Sequence, residues 1–214
     1  MLAVVALAAG LGGSPKPALS APANAACPAF ASPAFATGAA TCPALEISGR
    51  FDATGASIDP AFDVSVPSAD LARPAEGGAT LAGFAADGRA LFALPIAANG
   101  AFHVYVSLAP AAQQLLVRLR LTAGSTTAER TASTGAEATA ELIAVSEQRV
   151  IVAWNASAFP AIRVAESPEK APIASGSGTS TYEQMAVDTR VRRVYVVFSD
   201  GVRSTTRGFT IFGR

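Results

Sequence analysis

The chain has few of the residues that enzymes use for catalysis. Its 214 residues include one histidine, His103, and two cysteines, and charged side chains make up only 15% of the sequence. A Ser-His-Asp site needs a serine held on a strained turn, and no G-x-S-x-G sequence is present. The zinc motif H-E-x-x-H needs two histidines. The composition therefore predicts a protein that is not an enzyme and that holds no metal or cofactor.

Net charge is also absent, because 16 basic residues balance 16 acidic ones. A neutral chain has no overall field that would attract nucleic acid or an anionic membrane. No glycine-rich loop follows a strand and opens a helix, so a nucleotide site is not predicted. Lysine occurs only at Lys16 and Lys170, while alanine and proline are frequent. We assign this bias to a GC-rich bacterial genome.

Long apolar runs are missing as well. The first thirteen residues are apolar, but a membrane-spanning helix needs about 20 such residues, so no transmembrane segment is predicted. The length suits the core of a signal peptide, and Ala23-Asn24-Ala25 matches the A-x-A cleavage pattern. Although nothing basic precedes Lys16, we expect residues 1–25 to direct export and the mature chain, secreted or at the cell surface, to begin at Ala26.

The two cysteines, Cys27 and Cys42, lie in a segment of alanine, proline and serine. In an exported chain we expect them to form a disulfide that closes a loop of about 15 residues and contributes at most roughly 3 kcal/mol. The alternative is two unpaired small apolar residues. Residues 26–43 show no periodicity, which predicts a spacer outside the folded cores.

Alternation of apolar and polar residues dominates the rest of the sequence, as in FHVYVSL and LLVRLRL. Period-two alternation predicts half-buried β-strands, and the Asp-Gly and Asn-Gly pairs between them predict tight turns. Strands are predicted at 45–51, 62–66, 79–86, 89–96, 100–108, 114–122 and 126–132, and then at 142–145, 150–154, 161–165, 171–175, 182–188, 192–199 and 204–212.

Short strands at a spacing of about 8 to 12 residues are typical of antiparallel β-sandwiches. Small polar residues around 133–138 mark a boundary between two sets of strands. We therefore predict an all-β chain with two tandem small sandwiches of the immunoglobulin or fibronectin type, over 44–134 and 139–214. One larger sandwich is the alternative.

The candidate chemical residues are few and isolated. Alternation places His103 on the face of Tyr105, toward solvent, and Trp154 with its neighbouring valines, toward the core. Three carboxylates lie close together in sequence but lack the spacing of a calcium-binding loop, so we interpret them as turn or strand-edge residues. They are Asp52, Asp59 and Asp63.

The last 25 residues contain six arginines and one acidic residue, Asp200. A two-residue turn at Asp200-Gly201 would place Arg207 opposite Val194 on an apolar face, so we expect a longer loop or a bulge. These arginines form a candidate docking surface for an acidic protein or a polysaccharide, or they protect a sheet edge from aggregation. The candidate surface consists of Arg190, Arg192, Arg193, Arg203 and Arg207.

The sequence resembles a family of accessory regions. Trp154-Asn155, Phe159-Pro160, Val164 and the segment 199–204, SDGVRS, are similar to C-terminal immunoglobulin-like β-sandwich regions of exported bacterial proteins, which often accompany a metallopeptidase domain. The likeness covers about the last third of the chain. It implies a non-catalytic accessory region, and with one histidine no peptidase activity or site residue can be carried over.

These observations predict a non-catalytic exported β-sandwich module for binding, spacing or assembly at the cell surface or in the extracellular space. Its partners would be a protein or polysaccharide outside the cytoplasm, or further copies of itself. One alternative is a carbohydrate- or cell-wall-binding module that uses Tyr105, Tyr182 and the arginines. Another is a subunit of a surface filament or layer, whose proline-rich arm adds to a neighbour's sheet edge.

Overall fold

The computed structural model describes residues 27, 41–52, 54–74, 76–97, 100–133, 136–168 and 170–212. Every strand in these ranges pairs antiparallel. The prediction of an all-β fold is thus confirmed. The predicted signal segment 1–25 and all of the predicted spacer except Cys27 and 41–43 lie outside the described residues. None of the helices described is long and apolar enough to cross a membrane.

The strands fall into two sets along the chain. The first half of the chain, residues 41–133, contains β1 (Thr41–Asp52), β2 (Gly55–Ile58), β3 (Phe62–Pro67), β4 (Ala79–Ala85), β5 (Ala90–Ile96), β6 (Gly100–Val106), β7 (Leu116–Ala123) and β8 (Thr126–Thr131). The second half, residues 136–212, contains β9 (Ala140–Ser146), β10 (Arg149–Trp154), β11 (Ala161–Ala165), β12 (Ala174–Ser177), β13 (Glu183–Asp188), β14 (Arg193–Ser199) and β15 (Ser204–Thr210).

Three elements of the first half were not predicted from the sequence, and one of them is a single 3-10 turn at Ser68–Asp70. Strand β2 has four residues, which is too short for alternation to be visible. Helix α1 (Pro110–Leu115) begins with proline at its first turn and continues through alanine and glutamine, which favour helix. It occupies residues that were predicted to begin the following strand, so β7 starts at Leu116 instead of at 114.

The first half consists of two sheets around one apolar cluster. In one sheet β1 pairs with β6 on one side. On its other side β1 pairs with β3 along its first part and with β2 along its last part. The second sheet has the order β5-β4-β7-β8. Leu45 and Ile47 of β1 meet Leu81 of β4 and Leu119 of β7 in this first core cluster. All four side chains are almost completely buried.

The second half repeats this arrangement with sheets β13-β10-β9 and β12-β11-β14-β15. The chain crosses between sheets after β10, β12 and β13, as in immunoglobulin-type sandwiches. Val152, Val196 and Phe198 fill the second core cluster. Trp154 lies there too, and its indole N–H donates to the carbonyl of Phe159 at 3.0 Å. The prediction that Trp154 faces the core is confirmed.

A third, smaller cluster covers the outer face of β1. Cys42 and Ala44 are buried there by Val66 and Leu71, and Cys27 packs against them. The predicted spacer reached residue 43, but β1 begins at Thr41, where it pairs with β3. Cys42 belongs to neither of the two large core clusters, but it is buried within β1, so strand structure begins inside the segment that was predicted to be a spacer. Its side chain points to the same face as Ala44, where other apolar groups exclude water.

Candidate functional site

The two halves meet at the turn between β14 and β15, which spans Asp200–Arg203. The Asp200 carboxylate accepts hydrogen bonds from the backbone N–H groups of Val202 at 2.9 Å and Arg203 at 2.7 Å. Gly201 has a φ of 104°, a conformation that favours glycine. Asp200 and Gly201 therefore stabilise this four-residue turn, and the turn presents Val202 to the first half.

Val202 belongs to the first core cluster although it lies in the second half, and its exposure is 0%. Backbone hydrogen bonds hold the turn in place, since Ala61 N donates to Gly201 O at 3.1 Å and Ser133 N donates to Asp200 O at 2.8 Å. The buried Ser199 hydroxyl donates to the Ala61 carbonyl at 2.6 Å. The second half thus contributes a side chain to the core of the first.

A polar cluster flanks this insertion. The Ser204 N–H donates to the Asp63 carboxylate at 2.7 Å, and the Asp63 N–H donates to the Ser204 hydroxyl at 2.8 Å. Gln113 of α1 also donates to Asp63, while Arg203 donates to the Gln114 carbonyl at 2.9 Å. A cleft of about 460 Å³ lies beside these groups. We call the contacts of Ala61, Asp63, Gln114 and Ser133 with 199–204 the junction.

A second set of charged contacts joins the halves at Glu46. Its carboxylate accepts hydrogen bonds from both terminal nitrogens of Arg163, at 2.5 and 2.9 Å. The Arg163 guanidinium also stacks on the Phe62 ring, 3.9 Å from its centroid. His103 Nε2 lies 3.1 Å from the same carboxylate. We call these four residues the Glu46 cluster.

The environment of Glu46 lowers the pKa of its carboxyl group. Burial alone would raise this pKa, but the hydrogen bonds and charge of Arg163, together with those of His103, outweigh it. The side chain of Glu46 is 16% exposed, so these interactions are only partly screened by water. The carboxylate therefore stays ionised at neutral pH and can hold Arg163 from the other half.

His103 is half exposed, in agreement with the predicted solvent-facing position. Its ring lies 4.9 Å from that of Tyr105. Across the described part of the chain, the only hydrogen-bond partner of its imidazole is the Glu46 carboxylate. The neighbouring Ser48 hydroxyl instead donates to Asp59 at 2.9 Å. This geometry can orient a charge, but it contains no hydroxyl or thiol in hydrogen-bond contact with the imidazole.

The three carboxylates singled out in the sequence serve separate purposes. Asp52 accepts hydrogen bonds from the Thr54 hydroxyl and N–H and from Arg50, which lower its pKa to about 2. Asp59 accepts from Ser48, and Asp63 belongs to the junction. Over the ranges described, no three His, Cys, Asp or Glu side chains are grouped so that they could hold a metal ion.

The register of β14 and β15 explains where the C-terminal arginines lie. The turn has four residues, as the expected longer loop requires, and Val196 stands opposite Arg207. A shift of two residues keeps Arg207 on the face of Val196 because alternation has a period of two. It is exposed because β15 is the edge of its sheet. Arg203 differs from the others, since it binds Asp200 in the turn.

The other arginines of the candidate docking surface are exposed. Arg193 lies over the ring of Tyr195, 5.3 Å from its centroid. Arg190 lines a wider groove of about 980 Å³ at the far end of the second half. There Arg149 and Asp188 pair at 2.8 Å, and Thr189 donates to Glu166. The charges lining this groove are thus largely paired with one another.

Cys27 and Cys42 lie at disulfide distance, as predicted, with Cα atoms 5.5 Å apart. Sequence reasoning missed Glu46, Arg163 and Gln113. Their strand and helix positions indicate only that they face outward, and no local signal links residues that are 117 positions apart.

A comparison with models of known protein families found no match for this chain, and none was found among curated proteins.

Proposed function

We propose that the protein is a non-catalytic exported module that acts as a rigid spacer or assembly unit outside the cytoplasm. The observation that carries this proposal is the insertion of Val202 from the second half into the first core cluster. Domains joined only by a linker move relative to each other by default. A buried side chain, the junction and the Glu46 cluster instead hold the two halves in one orientation. A fixed orientation is what a spacer needs.

Two features support export. A signal-like segment at 1–25 precedes the folded region in the sequence. Cys27 and Cys42 lie at disulfide distance, and disulfides persist mainly in oxidising compartments outside the cytoplasm. Mass spectrometry of the native, non-reduced protein tests both. A mature start at Ala26 and no free thiol are expected, whereas an intact Met1 with two free thiols would contradict export.

Rigidity can be tested by double electron–electron resonance between one spin label in each half. Wild type should give one narrow distance distribution. The double variant Asp63→Ala with Arg163→Ala should broaden it, because both sets of interhalf contacts are weakened. A matched control is Arg149→Ala, whose exposed ion pair lies within the second half. A wild-type distribution as broad as that of the double variant would refute the spacer function.

The absence of catalysis can be tested by a broad hydrolase screen of the purified protein with His103→Ala beside it. We expect no turnover from either. Turnover by wild type that His103→Ala abolishes would overturn the proposal, because it would make the half-exposed imidazole a catalytic group.

A glycan-binding function is the second candidate, and it is favoured by Tyr182. This side chain is 54% exposed, and its hydroxyl accepts a hydrogen bond from Gln184 at 3.0 Å and lies 3.5 Å from Glu141. An exposed ring beside polar groups can stack on a sugar and bind its hydroxyls. Polysaccharide pull-down with wild type and Tyr182→Ala tests it. Retention that Tyr182→Ala reduces would support this function, and no retention would exclude it.

A further inference from the structure

Strand β9 forms one edge of its sheet, and within the described ranges it pairs only with β10. Its outward side chains Ile143 and Val145 are 39% and 57% exposed. The inward side chains Leu142 and Ala144 pack on the second core cluster but are only partly buried. Glu141 is the one charged residue of the strand. The edge is therefore apolar on both faces and open to another strand.

The corresponding edge of the first half is closed. There β2 and β3 lie beside β1 in the place that β9 takes beside β10. The backbone N–H of Asp63 in β3 donates to the Ser204 hydroxyl at 2.8 Å. The carbonyl of Ile58 in β2 accepts from Arg130 at 2.7 Å. The same topological position is thus covered in one half and uncovered in the other.

Proteins protect edge strands with charges, proline, short length or a covering segment, because unpaired backbone groups otherwise recruit another strand. Each of the other edge strands has such a protection. The protections are Pro95 in β5, Glu129 and Arg130 in β8, the hydrogen bond from Ala72 to the Tyr105 carbonyl at β6, the four-residue length of β12, Glu183 and Asp188 in β13, and Arg207 in β15. Strand β9 has seven residues and no proline, and its single charge, Glu141, lies at the second position, whereas Arg207 lies at the centre of β15.

The sequence of β9 can pair with itself. In an antiparallel pairing centred on Ile143, each Ile143 stands opposite Ile143 of a second copy. Glu141 then stands opposite Val145, and Leu142 opposite Ala144, so no like charges are opposed. Pairing would bury more of the exposed apolar side chains on one face and more of the partly buried ones on the other.

We propose that the protein forms a two-fold homodimer by antiparallel pairing of β9 with β9 of a second copy. Two three-stranded sheets then become one continuous six-stranded sheet. Pairing of seven residues per chain makes a small interface, so the dimer is weak and depends on concentration. The dimer does not depend on the proposed spacer function, because a monomer could still hold its two halves rigidly.

Sedimentation equilibrium of the full chain over a wide concentration range tests the dimer. Wild type should fit a monomer–dimer equilibrium. Ile143→Lys should raise the dimer dissociation constant at least about tenfold, because two lysines would face each other where an apolar pair was. Ile173→Lys is the matched control, since Ile173 is 42% exposed and lies outside the strands. Circular dichroism establishes that both variants are folded.

A second variant tests the register. Ile143→Cys should give a covalent dimer on mild oxidation, because residues directly opposite each other in a sheet lie within disulfide reach. Ile173→Cys should not. Wild type that stays monomeric at every concentration would overturn the proposal. So would assemblies larger than dimers, or a dimer that neither Ile143→Lys weakens nor Ile143→Cys cross-links, since association would then use another surface.

Discussion

Arg163 and Glu46 carry most of the charge interaction between the two halves. Both are largely shielded from water, with side-chain exposures of 23% and 16%, and they form two hydrogen bonds. A paired charge that loses its partner in a buried position is costly, because water does not replace the lost contacts fully. Exposed ion pairs behave differently, since water solvates each partner already.

Arg163→Ala should therefore lower the free energy of unfolding by about 1–3 kcal/mol, because it leaves Glu46 with His103 as its remaining partner. Urea denaturation measures this change. Arg149→Ala is the control, because Arg149 and Asp188 form an exposed pair, with side-chain exposures of 55% and 73%, and should cause little change. Equal destabilisation by the two variants would show that the burial of Glu46 does not make its ion pair with Arg163 more stabilising than an exposed pair.

Glu46 should also make stability depend on pH. Its pKa in the folded protein lies below the ordinary value of 4.5, so its contribution is complete above pH 4.5. As the pH falls further, the unfolded chain takes up the proton first, and the contribution is lost as the pH passes through the folded pKa. Thermal melts of wild type and Glu46→Gln should differ most at neutral pH and converge in acid. A constant difference would contradict this.

At the scale of elements, the β14–β15 hairpin does more than complete its own sheet. Its strands pack on the second core cluster through Val196 and Phe198, while its turn delivers Val202 to the first. The hairpin is rigid at this point because Asp200 caps two backbone N–H groups and Gly201 allows the positive φ. A substitution in one element of the second half can therefore act on the first half.

Val202→Ala should lower the free energy of unfolding by about 2 kcal/mol, as expected when methyl groups are removed from a packed core. Hydrogen exchange should then accelerate in β1 and β7, although the substitution lies in the second half. Val187→Ala is the matched control, because Val187 is equally buried but belongs to the second core cluster. If Val202→Ala accelerates exchange only in the second half, the insertion contributes no stability to the first.

At the scale of the whole molecule, the junction and the Glu46 cluster couple two cores that the sequence predicts as separate domains. Coupled domains unfold together when the contacts between them are strong compared with the stability of each alone. The first half also lacks one of its own core side chains when separated, since Val202 comes from the other half.

Scanning calorimetry should accordingly show one unfolding transition for the whole chain. The double variant Asp63→Ala with Arg163→Ala should separate it into two, because each core would then melt at its own temperature. Two well-separated transitions in the wild-type protein would mean that the halves are independent and that their contacts contribute little.

Local sequence patterns determined the strands and the all-β class. Alternation is a property of neighbouring residues, so FHVYVSL or Val150 to Trp154 shows which side chains face a core without any knowledge of what covers them. The pairing of Cys27 with Cys42 was also predictable, because the chain has no other cysteine. The sequence did not predict strand β2 or helix α1, because neither is long enough to show a period.

Only the tertiary structure decided which residues meet across the two halves. Alternation placed Glu46 and Arg163 on outer faces, but their pairing depends on how two sandwiches are docked. Val202 lies in a turn, where sequence predicts exposure, and it is buried because the first half receives it. The open edge of β9 likewise follows from which strands were left without a neighbour. Long-range packing selects these contacts, and no local period encodes them.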